Sequence, residues 1–238
     1  RGAVTWFSGT GVTAGVVSSA NSLVGTTVGD RVGAQTTVLT NGNYAVGSPL
    51  WDNGAVVDVG AVTLCNGATG TSGTISASNS LVGTKTGDQV GVSLVALTLG
   101  NFVVVSPFWD SPDATDAGAF TWVSQVTGRV GPITEGNSLI GTFSSSFTLG
   151  SVRRLTNGNY VMFSPNWKDA PGADVGMAAW ANGATGLVGK VSALNALVGT
   201  APGNAVGEDV VALDNGNYVV FSPQWDGAAA DVGAVTWG

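Results

Sequence analysis

The chain has 238 residues, of which 44% are hydrophobic and only 10% charged, with 37 glycines and a net charge of −7. The apolar content is enough for a core, whereas the acidic balance, with a pI near 4.2, excludes a phosphate backbone as partner. Histidine is absent and Cys65 is the single cysteine, which removes Ser-His-Asp and Cys-His catalysis, imidazole metal sites and any intramolecular disulfide.

No apolar run approaches the roughly 20 residues of a membrane span, so the chain is not expected to cross one. It opens on Gly2-Ala-Val-Thr-Trp6, a short strand, and this segment returns in recognisable form at Gly60, Gly118, Gly176 and Gly233, in steps of 58, 58, 58 and 57 residues. Asn21-Ser-Leu-Val-Gly25 follows, with its leucine in the core, and returns at Asn79, Asn137 and Asn195. A strand is predicted next over Val32–Leu39. Asn41-Gly42 then signals a hairpin, read as a type I′ turn with both central residues at positive φ. The second strand, Asn43–Gly47, stops at Ser48-Pro49, since proline cannot donate to a ladder.

A loop carrying Trp51 leads to the third strand, Gly60–Leu64, with Cys65 just beyond it in a place that needs no special chemistry. Asn66-Gly67 and Gly70 turn the chain into a fourth strand, Gly73–Val82. A glycine-rich loop over Gly83–Gln89 then enters the next unit at Val90. The units are 2–59, 60–117, 118–175 and 176–232, with a closing strand at 233–238, all in one repeat domain. Glycine falls too often for helices.

A period this strict means that each unit buries its apolar face on the next copy. Four strands per unit, repeated radially, describe an all-β propeller of four-stranded blades. A β-solenoid is the alternative; its coils are shorter and lack a hairpin at one place in every repeat. The chain begins with strands three and four of a unit and ends with strands one, two and three. The expectation is therefore either a closed four-blade ring, with first and last segments sharing a blade, or eight blades built by a dimer. Two copies of strand three, Gly2–Trp6 and Gly233–Trp237, compete for one place at that joint.

Gly29-Asp-Arg-Val-Gly33, Leu39–Pro49 and Asp58-Val-Gly-Ala-Val-Thr63 together resemble the FG-GAP repeat of integrin-α propellers. Unit three departs, reading Leu149-Gly150-Ser151 one residue out of step. Asn-Ser-Leu-Val-Gly, Asn-Gly-Asn-Tyr and Ser-Pro-x-Trp-Asp in combination are closer to the repeats of large secreted bacterial proteins of the filamentous-haemagglutinin-like kind. That resemblance covers the whole chain and implies export, a bacterial cell-surface or matrix location and an adhesive, lectin-like role. Arg1 is not a start residue, so upstream sequence is expected, with room for a removed signal peptide. Many FG-GAP blades hold calcium between strands one and two. Here Thr40-Asn-Gly-Asn43 and its copies offer at most one carboxylate, too few for a hard cation. No metal or cofactor is expected.

For chemistry, the repeated Trp-Asp is the leading candidate. Trp51-Asp52, Trp109-Asp110 and Trp225-Asp226 are intact, and unit three has Trp167-Lys168. In a propeller these loops share a face with Asp30 and Asp88, so that tryptophans could stack on sugar rings while carboxylates bind hydroxyls. The competing reading makes each tryptophan a wedge between blades and each aspartate a cap on backbone N–H groups. Asp52 with Asp58, or Asp110, Asp113 and Asp116, have a spacing that calcium could use, although Asp113 has no counterpart elsewhere. With acidic residues dispersed by the repeat, no enzyme is expected. The sequence thus points to a non-enzymatic adhesion or carbohydrate-binding module, or alternatively to a structural repeat of an extracellular scaffold that self-associates through its end strands, as a homodimer or larger assembly.

Overall fold

The computed structural model describes residues 1–11 and 14–238, which contain strands and turns and no helix. The N-terminal half-unit supplies β1 (Ala3–Thr5) and β2 (Ser22–Val24). Counted by sheets, from a first strand to the fourth strand that pairs with it, unit one follows with β3 (Gln35–Val38), β4 (Tyr44–Ser48), β5 (Ala61–Cys65), β6 (Gly73–Thr74) and β7 (Leu81–Val82). Unit two has β8 (Ser93–Ala96), β9 (Phe102–Ser106), β10 (Ala119–Val123), β11 (Gly131–Pro132) and β12 (Leu139–Ile140). Unit three has β13 (Ser151–Arg154), β14 (Tyr160–Ser164), a small hairpin of β15 (Lys168–Ala170) and β16 (Ala173–Asp174), then β17 (Met177–Ala181), β18 (Gly189–Lys190) and β19 (Leu197–Val198). The C-terminal sheet comprises β20 (Asp209–Ala212), β21 (Tyr218–Ser222) and β22 (Ala234–Trp237).

Each unit folds its strands one to four into one antiparallel sheet, as in the order β3-β4-β5-β7. The predicted fourth strand is in fact two strands with different partners. Leu81–Val82 pairs within its own sheet, whereas Gly73–Thr74 crosses to the preceding unit and lies parallel to Leu23–Val24. The pattern recurs as β11 on β7 and β18 on β12. Asn79 is the reason for the break. Its Oδ1 accepts from Ser76 N at 2.9 Å and its Nδ2 donates to the Thr74 carbonyl at 2.9 Å, which folds the intervening residues into a turn.

The hairpin after the first strand is also not a type I′ turn. Gly42 N donates to Leu39 O and Leu39 N to Asn43 O, and only Gly42 has positive φ, at 86°. This is a three-residue loop in which a type I turn over Thr40 and Asn41 is followed by a left-handed glycine. The geometry explains unit two, where Leu99 replaces the asparagine: the left-handed position belongs to Gly100, with φ of 98°, and a leucine at the position before it meets no penalty.

The sheets stack face to face, and alternate side chains of each second strand enter different cores. In β9, Phe102 and Val104 join Leu39, Ala45 and Val62 of unit one, while Val103 and Val105 join Tyr160 and Met162 of unit three. In β14 the roles alternate again: Val161 and Phe163 pack with Val210 and Val220 of the last sheet. Every internal sheet is therefore apolar on both faces. Unit three absorbs its out-of-step loop locally, since Phe147 is buried against Phe120 at a ring separation of 4.7 Å and β13 starts in register.

The fold is thus all-β and repetitive, with several small sheets, none closed into a barrel or propeller. Among the described residues the longest separation spanned by any side-chain hydrogen bond is 85 positions, Thr40 to Gln125, and every strand pairing is shorter-ranged. Such reach joins neighbouring units only; β1 and β2 do not enter the sheet of β20–β22. No helix among the described residues is long and apolar enough to cross a membrane.

Candidate functional site

Ser48-Pro49 starts the Trp-Asp loop with a turn, in which Trp51 N donates to Ser48 O at 3.0 Å. The Trp51 carbonyl then accepts from Gly60 N at 3.0 Å, which closes the loop onto the third strand. Trp109 and Trp167 bond to Gly118 and Gly176 in the same way, and Trp225 to Gly233. Burial follows from this closure. Trp51, Trp109 and Trp167 are each 3% exposed, so no ring face is open for stacking on a sugar. Their indole Nε1 atoms have no hydrogen-bond partner within the described residues. Trp225, on the last sheet, is partly exposed.

The aspartates form a relay of caps. Asp30 is fully buried; its Oδ2 accepts from Thr26 N at 2.7 Å and Thr27 N at 2.8 Å, and its Oδ1 from Asp52 N at 3.2 Å. Asp52 Oδ1 accepts in turn from Asp58 N at 2.8 Å. Asp88, Asp110 and Asp116 repeat this chain of contacts, and Asp226 accepts from Asp231 N. The structure thus brings Asp30 to Asp52 and Asp88 to Asp110, with both oxygens of Asp30 and Asp88 and one oxygen of Asp52 and Asp110 taken by backbone donors. The Asp58, Asp116 and Asp231 backbones have φ of 52°, 49° and 52°, values that aspartate tolerates better than most residues.

Unit three loses both members of the acidic pair, whereas the last unit replaces only the first, with Asn204, and keeps Asp226. Unit three has Ser146 in the place of Asp30 and Asp88, and Lys168 in the place of Asp52. Lys168 Nζ pairs with Asp174 at 2.6 Å instead. Burial, followed by backbone hydrogen bonds that oppose it and by repulsion from Asp110, leaves the Asp88 carboxyl above its ordinary range. Asp116 is raised by burial first, then by Asp110 and Asp88. Asp113, placed by spacing beside Asp110 and Asp116, bonds to Lys190 Nζ at 3.1 Å. Among the described residues no three metal-ligating side chains converge. Cys65 is the last residue of β5 and fully buried, and burial pushes its thiol up to about 11.

Several recurring side chains to which sequence reasoning gave no polar partner are staples. Asn43 Oδ1 accepts from Gly67 N in its own unit, while its Nδ2 donates to Gln125 O in the next. Asn101 does the same with Gln125 N and Gly183 O. Trp6 and Trp122, at the ends of third strands, donate from Nε1 to Gly67 O at 2.9 Å and Gly183 O at 3.0 Å, again in the following unit. Thr5 with Ser22, Thr63 with Ser80 and Thr121 with Ser138 form hydroxyl pairs at 2.7 Å across strands three and four. Their signal in the sequence is recurrence at fixed places in most units, although Leu64 replaces one tryptophan and Ala179 and Ala196 replace one hydroxyl pair.

A family model described as a repeat of unknown function (DUF5650) matches residues 1–34, 38–92, 96–148, 154–208 and 212–238. The chain belongs to this repeat family. The five matches follow the structural units, the first and last falling on the terminal part-units. Neither the FG-GAP family nor a haemagglutinin family matches, so membership of DUF5650 replaces both resemblances as the statement of kinship. No curated protein matches the chain.

Proposed function

We propose that this DUF5650 chain is a non-enzymatic structural array, a scaffold whose repeated motifs hold successive sheets together. One observation carries the reading: the side chains best equipped for recognition, Trp51, Trp109 and Trp167 with Asp30 and Asp88, lie inside the fold, and the two carboxylates are turned on backbone N–H groups. A buried carboxylate with three N–H donors caps and orients; it has no lone pair directed at solvent. Export and a bacterial surface location fit such an array, in which sheets space other parts apart.

Adhesion to a carbohydrate is the second reading, favoured by the partly exposed Trp225 with Asp226 on the last sheet. Saccharide titration followed by tryptophan fluorescence separates the two. The scaffold reading expects no saturable response in the parent and none in Trp225→Ala. A saturable response that Trp225→Ala abolishes would establish the adhesive reading in its place.

A further inference from the structure

Within the array each unit lends an edge segment to the one before it. Gly73–Thr74, Gly131–Pro132 and Gly189–Lys190 lie parallel to the fourth strands β2, β7 and β12. The residue after each segment, Ile75, Ile133 or Val191, is 3% exposed, and its N–H donates to the carbonyl of Val24, Val82 or Ile140 at 3.1–3.2 Å. At the same time the turn ahead of the segment covers the end of the preceding third strand, where Trp6 packs on Gly70 and Trp122 on Gly186.

The two ends of the chain each hold half of this joint. Towards the C-terminal end, β19 has no parallel neighbour among the described residues. Trp180, the counterpart of Trp6 and Trp122, is 44% exposed in a groove of about 440 Å³ that it lines with Leu194, Leu197, Val220 and Trp237. Towards the N-terminal end, Gly15-Val16-Val17 is the counterpart of Gly73-Thr74-Ile75 and lies on no fourth strand among the described residues; Val17 is 58% exposed. This segment is already held in the lending conformation, since Asn21 Nδ2 donates to Val16 O at 3.0 Å as Asn79 does to Thr74 O.

Strand three is duplicated at the same joint. Gly233–Trp237 repeats Gly2–Trp6 residue for residue. Val232 ahead of β22 is 53% exposed, whereas its counterparts Val59 and Val175 are buried. If β22 takes the place of β1 beside β2 of another chain, the five side chains exchanged are identical and Val232 gains the cover it lacks.

Building on the scaffold reading, we propose that the chain associates head to tail with a second copy, the N-terminal segment 15–24 of one copy completing the C-terminal sheet of the other. Gly15 and Val16 pair in parallel with Leu197 and Val198, β2 pairs with β22, and the displaced β1 is replaced by its duplicate. The occupant is read from the chain itself: at three internal joints this seat is filled by this same segment. Contacts of this heterologous kind either close into a ring or grow as a fibre.

The test is solution mass against concentration for the 238-residue chain, Val17→Asp and Leu197→Asp. The parent is expected to reach at least twice the mass of one chain, whether it stops at two or continues to grow. Both variants are expected to remain single chains. Circular dichroism and thermal unfolding should match the parent for Val17→Asp, because Val17 is largely exposed in one copy. A parent that stays a single chain at every concentration overturns the proposal, as does assembly by Val17→Asp equal to that of the parent. Neither result touches the scaffold reading, which fails on saccharide binding through Trp225 and not on mass.

Discussion

Gly60 and Gly54 allow the close approach of neighbouring units to be measured against backbone conformation alone. Both have left-handed backbones, with φ of 72° and 64°. A Cβ on Gly54 would meet nothing within 4 Å, whereas one on Gly60 would lie 2.2 Å from Val90 N and 2.5 Å from Val90 O, backbone atoms that cannot rotate aside. Gly54→Ala therefore carries only the dihedral cost, about 1–2 kcal/mol. Gly60→Ala carries that cost and also opens the Gly60–Val90 bridge. The bond from Val90 N to Val59 O at 3.1 Å and that from Gly83 N to Gly60 O at 3.3 Å are then lost or stretched. With about 1–3 kcal/mol for each of the two bonds lost, the total reaches roughly 3–8 kcal/mol. Urea unfolding followed by tryptophan fluorescence gives the midpoints, and hydrogen exchange at the Val90 amide reports the bridge itself. Equal losses for the two substitutions, or full protection of Val90 in Gly60→Ala, would refute the close-approach argument.

Two further outcomes follow from the polar contacts. Ser80→Ala removes one half of the buried Thr63–Ser80 pair and should cost about 1–3 kcal/mol, while Thr63→Val together with Ser80→Ala should recover most of the loss; a double-mutant cycle in urea with no coupling would contradict this. Unit three already has Ala179 and Ala196 at these places. For Asp116, burial and the neighbouring Asp110 raise the carboxyl above its ordinary 3.8, so its protonated form is favoured in the fold. The stability it contributes is fully present below the ordinary value and is lost as pH rises through the raised one. Asp116→Asn, which keeps a residue tolerant of positive φ, should match the parent in acid and exceed it near neutrality, and a difference in unfolding midpoint that stays flat with pH would contradict the assignment.

The repeat, the strand content and the Asn-Gly hairpin were legible because they depend on local periodicity and turn residues. The Gly73–Val82 segment was not, since its division depends on a parallel partner one unit away and on a side-chain turn that Asn79 makes. Asp30 and Asp88 were legible as residues gathered near the Trp-Asp loop, and capping was open as one of two readings. What decides between those readings is burial, and composition does not reveal which face of a loop the chain closes over. Leu99 carried a clue: a leucine cannot sit comfortably at the left-handed position a type I′ turn would give it. Ring closure depends on the small rotation between successive sheets, a quantity that no single unit encodes.

The alternation in β4, β9 and β14, one side chain backward and the next forward, has an evolutionary consequence. A duplicated 58-residue stretch would arrive with both surfaces already matched to its neighbours, the trailing side fitting the old layer and the leading side fitting the next. Array length could then change by gene duplication or loss without any compensating substitution, while changes inside one layer would be felt at two junctions and go no further.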